Sequence, residues 1–166
     1  FTTAAYNNID AVVLNTSNNN LTAYSYAAGY STSTSMTNLA TWTPTVSPSS
    51  ARPVNSNSNN FISSTIWNNG VYVLTSAYTA AGGKIFTSPS ATGSYTSIYS
   101  DSNPINEASY GNGVYLAVGN TGKIRTSINS SASSWTLQSN FIVGQASTPN
   151  LMSASYESIN GDFWIT

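Results

Sequence analysis

One short pattern recurs along this 166-residue chain: Asn-Gly followed by a hydrophobic run that holds an aromatic residue. It stands at Asn69-Gly70-Val71-Tyr72-Val73, Asn112-Gly113-Val114-Tyr115-Leu116 and Asn160-Gly161-Asp162-Phe163-Trp164, at spacings of 43 and 48. A period of that length marks a chain of supersecondary units, none of which can bury its own hydrophobic faces without a neighbour. Asn-Gly between two strand-like runs is the strongest short hairpin signal, because both residues tolerate the positive φ of a type I′ turn.

Each unit extends in both directions. Upstream of the hairpin, Ile62 to Trp67 matches Ile105 to Tyr110. Downstream, Gly83-Lys84-Ile85-Phe86-Thr87-Ser88 matches Gly122-Lys123-Ile124-Arg125-Thr126-Ser127, and an aromatic-Thr pair follows each, Tyr95-Thr96 and Trp135-Thr136. The unit therefore reads as strand A, an Asn-Gly hairpin, strand B, a Gly-containing turn, strand C, a Ser-rich loop and strand D. In the more diverged first unit, Ala11 to Leu14 is expected to be strand B, Tyr30 to Ser33 strand C and Trp42-Thr43 the start of strand D. The expected fold is all-β: a β-propeller, or a propeller segment, of four-stranded antiparallel blades of about 40–48 residues each. One domain spans residues 1–166, with units at about 5–47, 60–100 and 103–140 and a partial one at 149–166. Residues 48–59, within a Pro- and Ser/Asn-rich stretch from Pro44 to Asn60, are expected to form a long surface loop. Three and a half units do not close a ring. Fragment of a larger propeller, ring closed by sharing one blade's strands, and packing completed by other chains all remain open.

Composition agrees with strands. The chain holds 30 Ser, 21 Thr and 21 Asn, which compete for backbone hydrogen bonds and disfavour helices. Aromatic residues make up 12%, too many for a disordered chain of this polarity. Four Lys and Arg against five Asp and Glu give a net charge of −1, so there is no basic field to hold phosphates, and nucleic-acid binding is not expected. His and Cys are both absent, which removes His- and Cys-based triads, Cys/His zinc sites and disulfides. Apolar runs of only a few residues are too short for a membrane-crossing helix, so no membrane insertion is expected. Phe1-Thr2-Thr3 is unlike a signal peptide, and the start without Met is expected to reflect processing or a longer parent chain.

The run from Tyr110 to Gly119, continued by Gly122 to Ser127, resembles the blade repeats of sialidase-like (Asp-box, BNR) propellers, and is similar to those of phage tail, fibre and virion proteins. The resemblance covers roughly residues 60 to 140. In that family the loop between strands C and D carries Ser-x-Asp-x-Gly-x-x-x-Trp, whose Asp caps the turn and whose Trp packs between blades. Ser127-Ile128-Asn129 with Trp135 is the match here, with Asn for Asp and without the Gly; Ser88 with Tyr95 and Ser33 with Trp42 are looser versions. Sialidases need an arginine cluster, yet Arg52 lies in the expected loop and Arg125 replaces Phe86 of the neighbouring unit, so no catalytic residue carries over.

The carboxylates are Asp10, Asp101, Glu107, Glu157 and Asp162, and Asp101 with Glu107 is the close pair considered for a glycosidase. Their place around Pro104, at a unit junction, fits a turn and a strand start, and no dense Asp/Asn/Gly loop suggests calcium. No enzyme activity, metal or cofactor is expected. Tyr72, Tyr115, Phe163, Trp42, Tyr95 and Trp135 recur at equivalent positions and are expected to pack between blades. Tyr24, Tyr26 and Tyr78 do not recur and are the candidate ligand contacts. Three Asn-x-Ser/Thr sequons, at Asn15, Asn20 and Asn129, are expected by chance at this composition.

Low net charge and strands without charged edges suit a subunit that does not repel its copies. The expected role is a non-enzymatic structural or adhesion component of a phage particle, in the virion or extracellular. Its partners would be other virion subunits, copies of itself or a host-surface glycan. The second reading is a secreted bacterial carbohydrate-binding propeller.

Overall fold

The computed structural model describes residues 9–25, 29–33, 42–46, 61–77, 82–91, 93–138 and 148–166. Blade 1 is a four-stranded sheet in the order β1 (Ile9–Asn15), β2 (Asn20–Ser25), β3 (Gly29–Ser33) and β4 (Trp42–Val46). Blade 2 runs β5 (Phe61–Asn68), β6 (Val71–Ala77), β7 (Lys84–Ser88) and β8 (Thr96–Ser100). Blade 3 runs β9 (Ile105–Gly111), β10 (Val114–Gly119), β11 (Ile124–Ser127) and β12 (Thr136–Gln138), and blade 4 contributes β13 (Ala154–Glu157) and β14 (Asp162–Ile165). All pairings are antiparallel between sequence neighbours. The first strands pack in series, β1 on β5, β5 on β9 and β9 on β13. Among the fourth strands, β12 is exposed throughout. This is the β-propeller arrangement that the repeat predicts.

Local chemistry fixes each hairpin. Asn69 (φ 43°) with Gly70 (φ 86°) and Asn112 (φ 47°) with Gly113 (φ 80°) both hold positive φ at two successive residues, as a type I′ turn requires. The Asn160-Gly161 hairpin differs. Only Gly161 is left-handed there, and the turn is a longer one capped by Glu157, which accepts from the amides of Ile159 (2.6 Å) and Asn160 (3.1 Å). Blade 1 has no Asn-Gly at all. Its first hairpin joins Asn15 to Asn20, so Ala11 to Leu14 belongs to the first strand and not, as the sequence suggested, to strand B. Without the Asn-Gly marker, an apolar run of four residues is equally at home in either strand.

One irregularity repeats. The first strand of blades 1, 2 and 3 carries an extra residue, Asp10, Ser63 and Asn106, that the pairing register skips. In blade 4 the amides of Met152 and Ser153 both reach the Thr166 carbonyl, which marks the same bulge. Counting from the bulge aligns the blades residue by residue.

The second strands of blades 2 and 3 are buried on both faces because a blade lies on each side: β6 and β10 are buried at every position after their first. Three clusters result. Val13 and Tyr24 of blade 1 pack with Ile62, Tyr72, Leu74 and Phe86 of blade 2. Val73 and Ile85 of blade 2 pack with Ile105, Ala108, Tyr115 and Ala117 of blade 3, and Leu116 and Val118 of blade 3 with Leu151 and Ala154 of blade 4. Each fully buried aliphatic side chain contributes roughly 1.5–3 kcal/mol, against about 1 kcal/mol net for a hydrogen bond. The clusters therefore supply the stability, and the hydrogen bonds between blades select the register.

Candidate functional site

Of the three candidate ligand contacts, Tyr26 and Tyr78 lie outside the described residues. Tyr24 points into the interface between blades 1 and 2, 2% exposed, where its ring meets Tyr95 edge-on at 6.3 Å and the two hydroxyls are 2.6 Å apart. It packs as the recurring aromatics do. The period-2 alternation of β2 places Thr22 and Tyr24 on one face, toward blade 2, which aromatic counting alone does not reveal. Arg52 and the 48–59 loop also lie outside the described residues.

The recurring polar side chains form a ladder from each blade to the next. Asn15, which ends β1, donates its Nδ2 to the Tyr72 hydroxyl at 2.7 Å, and Asn68, which ends β5, donates to the Tyr115 hydroxyl at 2.8 Å. At the next junction the Asn position holds Gly111 and the Tyr position holds Phe163, so both partners are replaced together. The ring of Tyr156 lies against Gly111, where any Cβ would collide with it, and packs on Phe163 at 5.2 Å.

A second rung starts at the bulges. Ser63 Oγ donates to the Ile105 carbonyl at 2.6 Å, and the equivalent Asn106 Nδ2 donates to the equivalent Leu151 carbonyl at 2.8 Å. A third comes from the residue after the bulge. Ser64 Oγ accepts the Ala108 amide and donates to its carbonyl, both at 3.2 Å, while Glu107 Oε2 accepts the Ala154 amide at 3.3 Å. In blade 1 the bulge residue is Asp10. Burial pushes its carboxyl above the ordinary range, opposed by a backbone hydrogen bond from Ile62, and its Oδ2 is buried with no hydrogen-bond partner among the described residues.

Asp101 and Glu107 do separate structural work. Asp101 is 5% exposed and sits between Lys123 Nζ at 2.8 Å, Arg125 Nε at 3.1 Å and Arg125 Nη2. It also accepts the Asn103 amide at 2.9 Å. Burial alone would raise its pKa, but the hydrogen bonds from Lys123, Arg125 and Asn103 and the guanidinium charge hold it far below the carboxylate range. Arg125 is completely buried and lies over the Tyr99 ring at 5.7 Å. It occupies the core position that Phe86 fills one blade earlier, so an ion pair here replaces an apolar plug. Its Nη1 has no hydrogen-bond partner among the described residues.

The Ser127-to-Trp135 turn is held by its own side chains. Asn129 Oδ1 accepts from the Ser131 amide (2.9 Å) and hydroxyl (2.6 Å), and Ala132 takes the left-handed φ of 52°. Trp135 Nε1 donates to the Ala132 carbonyl at 2.8 Å, and its ring lies 6.3 Å from Tyr115. Of the sequon asparagines, Asn15 is buried in the ladder. Among the described residues, no three acidic side chains come together as a metal site would need. Nor is any helix there long and apolar enough to cross a membrane.

No family description and no curated protein matches the sequence. Solved structures do match. A nidogen/laminin complex superposes with a TM-score of 0.68 at 9% identity, over 98% of this chain and 57% of that one. YCF48 bound to a peptide gives 0.58 at 11% identity over 98% and 50%, and the computationally designed Ika4 protein gives 0.55 at 7% over 99% and 94%. The chain thus spans little more than half of the first and half of the second. At these identities the likeness is one of fold, a β-propeller.

Proposed function

We propose that the chain is a non-enzymatic structural or adhesion component of a particle, displaying loops from a rigid propeller scaffold toward other subunits or a host surface. A phage tail, fibre or decoration protein is the form that its repeat resemblance favours. The observation that carries the reading is the use of the polar side chains. Asn15, Asn68, Ser63, Ser64, Asn106 and Glu107 hold blade to blade, and the Asp101 carboxylate is taken up by ion pairs with Lys123 and Arg125. Such groups position surfaces; catalysis would need acid and base groups left available to a substrate. Two structures of like fold are complexes, one of nidogen with laminin and one of YCF48 with a peptide, which supports a protein-contact role for the scaffold.

Fractionation of the source culture after prophage induction tests this. Peptides of this chain banding with purified particles in a density gradient are the expected result. Recovery only as free protein in the medium, with retention on polysaccharide resins, would favour the carbohydrate-binding alternative. Turnover of a polysaccharide that is lost in an Asp101→Asn, Glu107→Gln double variant would contradict both.

A further inference from the structure

Each junction between blades holds two aromatic rings that face one another across the first and second strands, Trp67 with Tyr72, Tyr110 with Tyr115 and Tyr156 with Phe163. Tyr72 and Tyr115 are the deeper members, buried and with their hydroxyls taken up by Asn15 and Asn68. Trp67, Tyr110 and Tyr156 are each the next-to-last residue of their strand, beside the hairpin. Trp67 packs on the cluster between blades 1 and 2, and Tyr110 on the one between blades 2 and 3, its ring 4.5 Å from Tyr115. All three are only partly buried. Their polar tips, Trp67 Nε1 and the Tyr110 and Tyr156 hydroxyls, have no hydrogen-bond partner among the described residues and are not buried. Blades 1, 2 and 3 are complete four-stranded sheets, so Trp67 and Tyr110 reach solvent because they stand at the hairpin end.

The surroundings of these tips are nearly uncharged. Because the strands alternate in direction, the hairpin between the first and second strands and the loop between the third and fourth share one end of the blade. Asp10, Lys84, Asp101, Glu107 and Lys123 lie toward the opposite end of their blades, and Arg125 is buried. Among the described residues, charge reaches the hairpin end only at Glu157 and Asp162 of blade 4. What stands there in blades 2 and 3 is exposed amide and hydroxyl, at Asn69, Asn112, Ser131 and Ser133. No cation is present to hold a phosphate, a nucleic acid or an anionic membrane. A sugar asks for the opposite set: a ring face for its C–H groups, and neutral donors and acceptors for its hydroxyls. Trp and Tyr supply both in one side chain, an apolar body with a polar tip.

We infer that the row of Trp67, Tyr110 and Tyr156 at the hairpin end binds a neutral polysaccharide, with sugar rings lying against the exposed parts of the three rings. The same site recurs at three successive junctions, which matches a ligand that is itself a repeat. The inference rests on the adhesion part of the proposed function and gives it a partner class, an uncharged glycan chain.

Electrophoresis in native gels cast with dextran, mannan or hydroxyethylcellulose, and with acidic alginate for comparison, tests it. At least one neutral polymer is expected to retard the chain, equally with and without added salt. Trp67→Ala and Tyr110→Ala are each expected to weaken that retardation roughly tenfold, the scale of one aromatic anchor. Tyr110→Phe combined with Tyr156→Phe keeps both rings and removes only hydroxyls that bond nothing in the protein. That variant is expected to fold with an unchanged circular dichroism spectrum and to bind several-fold more weakly. Retardation by alginate alone, falling with salt, would place binding on charged groups and overturn the inference. So would retardation that all of these substitutions leave unchanged, or none by any neutral polymer, whatever proteins the same surface captures. Particle fractionation is independent: a chain that bands with particles yet is retarded by no neutral polymer defeats this inference and leaves the structural reading standing.

Discussion

Asn68 reaches from the end of its own blade's first strand to the hydroxyl of Tyr115 in the next blade, 2.8 Å away. One blade earlier, Asn15 and Tyr72 repeat the contact at 2.7 Å. Tyr115 is completely buried, and its hydroxyl also donates to the Ser130 carbonyl at 3.3 Å, so the Asn satisfies a polar group that packing has removed from water. Where the Asn is absent, at Gly111, the hydroxyl is absent too, at Phe163. Paired replacement is what the cost of an unmatched buried hydroxyl predicts.

Gly111 has a second reason to be glycine. Any side chain there meets the Tyr156 ring. Gly111→Ala is therefore expected to destabilise by about 1–3 kcal/mol through overpacking, and Tyr156→Ala in the same chain to relieve most of that penalty. Urea denaturation of the two single variants and the double variant measures both, and a neutral Gly111→Ala would show that Tyr156 is free to leave.

Asp10 is the bulge residue that lacks the donor its counterparts supply. Its folded pKa lies above the unfolded value of about 3.9, so its stabilising contribution is complete below that value and is lost as pH rises through the folded one. Asp10→Asn, which copies Asn106, is expected to raise stability at pH 7 by about 1 kcal/mol and to change little at pH 3. Thermal midpoints of the variant and the original chain at the two pH values check the sign.

The Asp101 cluster works in the opposite direction. Its folded pKa is depressed, so its contribution is present above the unfolded value and is lost only as pH falls through the much lower folded one. Asp101→Asn leaves the buried Arg125 uncompensated and is expected to cost about 3–5 kcal/mol. Adding Arg125→Phe, the residue type of the preceding blade, is expected to recover most of the loss. Denaturation at neutral pH reads both effects, and a silent Asp101→Asn would mean that water reaches the guanidinium.

Much of this architecture was legible in the sequence, and the exceptions have physical causes. Asn69-Gly70 and Asn112-Gly113 announced their hairpins because few residue pairs accept positive φ twice. Tyr72, Tyr115, Tyr95 and Trp135 read correctly as packing residues because packing positions recur with the repeat. Strand identity in blade 1 was misread where Asn-Gly is replaced by the longer turn after Asn15. Tyr24 has no repeat partner and so reads from sequence as a ligand contact, yet the blade 1 to blade 2 interface buries it. The ladder itself went unseen, since its partners lie 57 and 47 residues apart and bond between sheets, where no local pattern points. The available signal was the recurrence of Asn15 and Asn68 at one position of the aligned first strands.

Cross-blade contacts tie the blades together in order, and a double-mutant cycle on Asn68→Ala and Tyr115→Phe measures that most directly. Non-additive losses are expected, with a coupling of about 0.5–1.5 kcal/mol at neutral pH and a similar value for Asn15 with Tyr72. Strictly additive losses at both junctions would contradict it, because the side chains would then not meet across the blades.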